Sequence, residues 1–262
     1  MTRLYMRESR RQDLLAQYSA VVMFSEHIRR EYVRHGVALD RTHRLPCHVP
    51  SALAARRTRE LGVLPSRIVF LGRMEALKGG QVLLEALPIV QASLRRPMNV
   101  VFAGDGRLRN AWEAQAVRLC ATGTGPPVQF TGWLGPDDRT RLLGEADLLV
   151  VPSLWPEPFG LIGLEAAACG VPAVAFDVGG IGEWLHDGVN GHLAPADAPR
   201  AQHLASAIVR CLRDPSGHAA LARGAVEIAS RHSMPAHVTA LLDVLSAAAS
   251  SDSRVRTDDP AA

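Results

Sequence analysis

Lysine is almost missing from this chain: of 29 basic residues, 28 are arginine and one is Lys78. Base composition explains such a bias as readily as function does. The two side chains are nevertheless not interchangeable where a compact, strongly hydrated point charge is needed, so Lys78 is either an accident or a position that requires an ammonium. Aromatic residues are sparse at 5% and do not interleave with the arginines, which speaks against nucleic acid as a partner. The four cysteines, Cys47, Cys120, Cys169 and Cys211, lie far apart without a C-x-x-C pair. That excludes a disulfide framework and a cysteine zinc site, and reduced thiols are expected. The ten histidines show no H-x-x-x-H or H-E-x-x-H spacing, and no D-x-D pair is present. No metal and no resident cofactor are therefore expected. No run reaches the roughly 18 apolar residues of a membrane span; Leu161–Phe176 is interrupted by Glu165, Gly170 and Pro172. The opening Met1–Arg11 is basic and polar, unlike a secretory signal, so a cytoplasmic location is the expectation.

What is present is a globular composition, 47% hydrophobic and 21% charged over 262 residues, enough for one large domain or two small ones. The charge is uneven. Residues 1–67 hold 13 basic and 6 acidic groups, net +7, and residues 68–262 hold 16 and 20, net −4.

From Ser66 onward, short runs of Val, Ile, Leu and Phe alternate with stretches of helical period, the pattern of βαβ units around a parallel sheet. Strands are predicted at Arg67–Gly72, Asn99–Ala103, Val128–Thr131, Asp147–Val151, Pro172–Phe176 and Gly191–Ala194. Helices are predicted near Gly80–Leu94, Arg107–Ala121, Pro136–Glu145 and Phe159–Cys169. The fold class that follows is α/β, a Rossmann-like parallel sheet with helices on both faces and ligands at the carboxyl ends of its strands. After Asp197 the pattern is helical, over about Ala201–Arg213, Pro215–Ser230 and Pro235–Ala248. Before Ser66 there are only a helix near Arg7–Tyr18, a strand Ala20–Phe24, a helix Glu26–His35 and an extended piece Thr42–Pro46, too little to bury a core alone.

Four turns on the predicted ligand rim carry chemistry. The first, Leu71-Gly72-Arg73-Met74-Glu75-Ala76-Leu77-Lys78-Gly79-Gly80, puts two cations beside a helix amino terminus, which suits a diphosphate; a solvated pair of surface charges fits the pattern equally. The second, Pro152-Ser153-Leu154-Trp155-Pro156-Glu157-Pro158-Phe159-Gly160-Leu161, is stiffened by prolines and runs into a helix. Its Glu157 and the helical Glu165 could face one crevice, where acceptor-only carboxylates suit sugar and ribose hydroxyls. Alternatively, one is an exposed loop residue and the other complements a helix dipole. Glu165 lies in an apolar stretch, so its carboxylate needs partners. The third turn, Ala103-Gly104-Asp105-Gly106, has Arg109 where a dinucleotide fingerprint has its third glycine. Gly104 therefore serves either a tight turn or the crevice wall. The fourth, Asp177-Val178-Gly179-Gly180, offers backbone N–H groups to an anion or is a plain loop.

Together, G-R-x4-K-G after the first strand, P-S-x3-E-P-F-G-L-x3-E at a later one, and then A-x-G-x-P resemble the nucleotide-binding half of retaining glycosyltransferase family 4, over roughly Ser66–Pro215. The resemblance implies the GT-B fold, two Rossmann-like domains with a nucleotide-diphosphate-sugar donor held mostly by the carboxyl-terminal one. It also implies a sugar transfer to an unknown acceptor, without a metal and with the anomeric configuration retained. By the same resemblance Arg73, Lys78 and Glu157 are the catalytic residues: the two cations hold the donor diphosphate and Glu157 contacts the donor sugar. Glu165 would bind the ribose hydroxyls, and backbone groups of Phe159, Gly160 and Leu161 would meet sugar and phosphate. Gly72 and Gly104 would belong to the donor site, with Gly132, Trp133 and Leu134 as the nucleobase contacts.

The chain departs from that family in its amino-terminal half. Residues 1–50 resemble only the end of an acceptor-side domain and its linker, 51–231 the nucleotide-sugar-binding domain, 232–249 a carboxyl-terminal helix and 250–262 a disordered tail. A truncated gene, a misassigned start codon or a partner chain supplying the missing domain would each produce this. The net +7 segment is either a solvated surface or a peripheral contact with the inner membrane face. Two further readings stand beside the transferase, a donor-binding module without activity of its own and an NAD-dependent dehydrogenase, the last disfavoured by the incomplete glycine pattern.

Overall fold

The computed structural model describes residues 14–15, 17–49, 64–198 and 200–257, with side chains through Ser250. It divides into two compact units, Met1–His48 with His232–Ala262, and Val49–Arg231. In the smaller unit, strand β1 (Val21–Met23) pairs in parallel with β2 (Thr42–Arg44), Val21 opposite Thr42. Between them runs helix α1 (Glu26–Arg34), capped by Ser25, whose Oγ accepts the Ile28 N–H at 3.3 Å. Of the helix expected at Arg7–Tyr18, only Leu14 and Leu15 are seen as helical; residues 1–13 lie outside the described part.

The larger unit is a six-stranded parallel sheet: β3 (Arg67–Leu71), β4 (Asn99–Ala103), β5 (Val128–Gly132), β6 (Leu148–Val151), β7 (Ala173–Phe176) and β8 (Gly191–Ala194), in the order β5-β4-β3-β6-β7-β8. Helices α2 (Gly80–Leu94), α3 (Arg109–Ala121), α4 (Pro136–Glu145) and α5 (Leu161–Ala168) cross between successive strands, and a 3-10 turn at Ile181–Glu183 precedes β8. Helices α6 (Arg200–Leu212) and α7 (Pro215–Arg231) follow. α2 packs on α3 and α6, and α5 packs on α4 and α7. With both faces covered, β6 and β7 are buried at every position, which is why they read as unbroken apolar runs.

The core centres on Ile68, Phe102, Leu148, Val174 and Phe176, with Trp112 edge-on to Phe70 and Phe102. Full burial of each such side chain is worth about 1.5–3 kcal/mol. At the amino ends of the strands the Asp147 carboxylate accepts the Ser66 and Arg67 N–H groups at 2.7 and 2.8 Å. The Asp147 carbonyl lies 2.7 Å from Nε2 of buried His218. That end is closed by packing, and the carboxyl ends carry the long loops. Strand order reverses between β3 and β6, so the crevice of a doubly wound sheet falls between those two strands.

Among the helices after Ser66, three expected boundaries shift by more than one residue. α5 starts at Leu161 because Gly160 is left-handed, φ +91°. α3 starts at Arg109 because Gly106, at φ +157°, still belongs to the turn. The last helix, α8 (Met234–Thr257), runs past Ser250 into the expected disordered tail, carried by the helix-forming Ala247-Ala248-Ala249; residues 258–262 lie outside the described part. α8 also groups with the amino-terminal segment: His237 Nδ1 is 2.7 Å from the Pro46 carbonyl, and His232 Nδ1 is 2.9 Å from that of Cys47. The cysteines are unbridged, and burial pushes the Cys211 thiol up to about 12. Among the described residues no helix is long and apolar enough to cross a membrane.

Candidate active site

The loops leaving β3 and β6 meet at the strand-order reversal. The Leu154 N–H donates to the Leu77 carbonyl at 2.8 Å, and the Trp155 N–H reaches the same oxygen at 3.3 Å. Gly79 permits this approach. It is left-handed, φ +70°, and a Cβ there would overlap the Pro152 carbonyl oxygen. The glycine after Lys78 thus brings the first cation-bearing turn against the proline-stiffened one.

At that junction Lys78 Nζ donates to Glu157 Oε1 at 2.5 Å, and Ser153 Oγ donates to the same oxygen at 2.5 Å. The Glu157 side chain is 11% exposed and that of Lys78 26%. The sequence left Glu157 open as an exposed loop carboxylate; it is instead buried and doubly bonded. Its backbone is fixed as well, since the Gly180 N–H donates to the Glu157 carbonyl at 2.6 Å. Gly179, φ +58°, lies so near that a Cβ would come within 2.5 Å of the Glu157 backbone. The fourth rim turn therefore props the second.

Arg73 sits on the same loop as Lys78 with its guanidinium 68% exposed, 3.3 Å from Glu75. An exposed pair of this kind is worth about 0–1 kcal/mol, so turning the guanidinium toward an incoming anion costs little. Lys78 and Arg73 thus differ: one ammonium is locked beside a carboxylate, the other cation is loosely held.

Gly104 makes a tight turn against the neighbouring loop. At φ +127° it places its Cα face against Gly72, whose carbonyl a Cβ would overlap, and a Cβ on Gly106 would crowd the Met74 backbone. The Gly104 N–H donates to the Gly132 carbonyl and the Gly72 N–H to the Ala103 carbonyl, at 2.8 and 3.0 Å. The close approach these glycines allow is between neighbouring rim loops of the chain itself. Arg109, in the place of a third glycine, is held by Glu113 at 2.8 Å and stands beside Gly132, φ +75°. Just beyond Gly132, the Trp133 side chain is 80% exposed and Leu134 half-buried.

The segment Phe159-Gly160-Leu161 is governed by Trp184, a residue the sequence did not single out. Trp184 is fully buried, and its Nε1–H donates to the Phe159 carbonyl at 2.7 Å. Its ring fills the space a Cβ would take on Gly163, and Nε1 lies 3.2 Å from the Cβ position of Gly160. The Phe159 carbonyl thus accepts a hydrogen bond from inside the fold. No side chain caps α5, whose first residue Leu161 is half exposed, so the helix presents its amino end at the rim.

Glu165, in the second turn of α5, is 16% exposed. Arg139 of α4 comes within 3.4 Å of its Oε2. Arg139 Nε and Glu165 Oε2 are nevertheless both buried without a hydrogen bond. Burial pushes the Glu165 carboxyl above its ordinary value and Arg139 opposes the rise. The sequence required a partner for this carboxylate without identifying Arg139. The only signal was a basic residue near the start of the helix after β5, too far along the chain to be linked to Glu165.

Residues 65–214 match the family model described as glycosyl transferases group 1. The chain is 35% identical to D-inositol 3-phosphate glycosyltransferase of Salinispora tropica over 256 residues, 94% of this chain and 51% of the relative. It is 37% identical to glycogen synthase of Mycobacterium tuberculosis over 66% of this chain and 39% of that protein. Among solved structures it resembles HepE of Anabaena in complex with UDP, with a TM-score of 0.74, 25% identity, and coverage of 88% of this chain and 64% of the other. The complex of the same protein with UDP-glucose gives a TM-score of 0.71 over the same shares. The chain spans about half the length of the first curated relative it matches. By sequence model, relatives and fold alike, it belongs to the group 1 glycosyltransferases, with the parallel α/β architecture of the GT-B enzymes.

Proposed function

We propose that this chain binds a nucleotide-diphosphate-sugar donor and serves the transfer of its sugar, in the manner of a retaining, metal-independent family 4 enzyme. The observation that carries the reading is the junction of Lys78, Glu157 and Ser153 at the reversal of strand order, beside Arg73 and the uncapped amino end of α5. Uridine diphosphate is the first nucleotide to test, because HepE is described in complex with UDP, with UDP and glucose, and with UDP-glucose.

The chemistry asked of the site is cleavage of a sugar–diphosphate bond, which sends negative charge onto the leaving phosphate while the sugar gains oxocarbenium character. Groups that meet charge developed in the transition state, rather than charge already present, lower the barrier. Arg73 is free to close on the diphosphate, and Lys78 already stands at the junction. Two such cations can neutralise the leaving group without a metal. Glu157, held by Lys78 and Ser153, presents a fixed acceptor to the donor sugar. Attack on the same face of the sugar then retains its configuration.

A donor-binding module that needs another chain for transfer is the second reading. A cytoplasmic site of action, with the net +7 segment touching an anionic membrane face, belongs to the same proposal. Calorimetric titration with UDP and several sugar nucleotides, with and without magnesium, tests donor binding. Binding unchanged by magnesium removal is expected, and no binding by any of them would overturn both readings. Slow release of free sugar from a bound donor separates a catalyst from a binding module.

A further inference from the structure

The Arg139–Glu165 pair is close enough to attract and yet unfinished. The nitrogen and oxygen lie 3.4 Å apart, and both are buried with no hydrogen-bond partner. Buried polar atoms almost always find partners, so a native pair left in this state needs a reason. The pair lies on the helices that follow β5 and β6, whose amino ends lie at the carboxyl rim of the sheet, and Glu165 comes eight residues after Glu157.

We propose that Arg139 is a positioning residue for nucleoside recognition: facing the buried Oε2, it keeps Glu165 ionised and oriented, so that a ribose hydroxyl of the donor can donate to the other carboxylate oxygen, Oε1. The proposal rests on the donor-binding reading above and assigns a role to a residue outside the rim motifs. The physical case is electrostatic. A carboxyl in an apolar helix face tends to hold its proton, and a protonated carboxyl is a poorer acceptor for a hydroxyl. Among the described residues, α5 packs on α4, α7, β6, β7 and the Trp184 ring, and of these only α4 brings a cation within ion-pair distance of Glu165. At the end of its own helix the titratable neighbour is the buried Cys169 thiol, which burial and then Glu165 push upward and which carries no positive charge. Among the described residues no other cation offsets the burial of the carboxylate.

The test compares UDP, GDP and ADP with their 2′-deoxy and 3′-deoxy counterparts, titrated calorimetrically into the full chain and four variants. The parent should prefer the best-bound ribonucleotide over a deoxy counterpart. In Arg139→Gln its affinity should fall about tenfold, as expected for a lost charge-assisted hydrogen bond, while the deoxy counterpart is little affected. Loss of binding on acidification should also set in at higher pH than in the parent. Arg139→Lys should restore most of the preference, since the charge returns. In Glu165→Gln, adding Arg139→Gln should cause no further loss, because Arg139 acts through the carboxylate. An Arg139→Gln variant with the parent's sugar preference and pH profile, or an equal loss in the Glu165→Gln background, overturns the proposal while leaving the donor-binding reading intact. If the parent binds none of the nucleotides, both fall.

Discussion

Glu157 and Glu165 stand eight residues apart in one segment, and the fold treats them in opposite ways. Glu157 is in a loop, where irregular backbone lets Ser153 turn back onto it and Lys78 reach it from the neighbouring loop. Glu165 is in a helix, where its backbone partners are already taken and its cationic neighbour Arg139 arrives from α4 at a distance that leaves both atoms unbonded. The loop carboxylate is satisfied before any ligand enters and can act as a rigid contact. The helical one turns its Oε2 into the fold toward Arg139, which leaves the other oxygen for a ligand hydroxyl. Two carboxylates of one motif are thereby suited to different parts of a sugar nucleotide.

The comparison can be broken most strongly at Lys78. Lys78→Ala removes a cation from the proposed diphosphate site and strips Glu157 of one of its two partners. Donor affinity should drop by about 1.5–3 kcal/mol, the range for charge-assisted bonds. Arg73→Ala should approach that loss in binding without disturbing Glu157, because Arg73 is exposed and pairs with Glu75. Calorimetry separates the two effects when paired with thermal melting: Lys78→Ala should lower both affinity and melting temperature, Arg73→Ala affinity alone.

Next in size is Gly163→Ala, which acts on the spacing between the two carboxylates. Its Cβ would enter the Trp184 ring, and an extra carbon forced into a packed core costs about 1–3 kcal/mol. To make room, α5 has to move off Trp184, carrying Glu165 relative to the Glu157 loop. A lower melting temperature, with donor affinity reduced more than that of free inorganic diphosphate, is the expected pattern. Equal losses would show that Glu165 does not read the nucleoside. Lys78→Arg should be milder, about 1 kcal/mol in donor binding, because the wider guanidinium fork replaces a point charge.

Most of the scaffold was legible in the sequence because β3 to β8 are short apolar runs separated by crossover-length helices, and a parallel sheet covered on both faces leaves that imprint. The Lys78–Gly79 and Pro152–Ser153 turns were legible for a similar reason: their residue types are tied to local backbone needs. The identity of Glu157's partners was not, since Ser153, Lys78 and Glu157 meet only through the strand order. Trp184 and Arg139 were missed on the same ground. Each serves the 157–165 segment from a different element, and no local period or spacing marks such a contact.

The smallest expected effect isolates the unfinished carboxylate. Because burial raises the Glu165 carboxyl above its unfolded value, the native state holds this proton more tightly than the unfolded chain does. The stabilising contribution is therefore fully present below the ordinary glutamate range and is lost as pH rises through the raised folded value. Glu165→Gln, uncharged at every pH, removes that dependence. Relative to the parent, the melting temperature of the ligand-free variant should be higher near neutral pH, with the advantage shrinking as the solution is acidified. The same substitution should weaken nucleoside binding, so stability and affinity should move in opposite directions at neutral pH. Glu157→Gln should show no such gain, since it replaces a carboxylate bonded to Lys78 and Ser153 by an amide that satisfies the ammonium less well. Parallel melting curves for the two variants from acid to neutral pH would show that the fold treats both carboxylates alike.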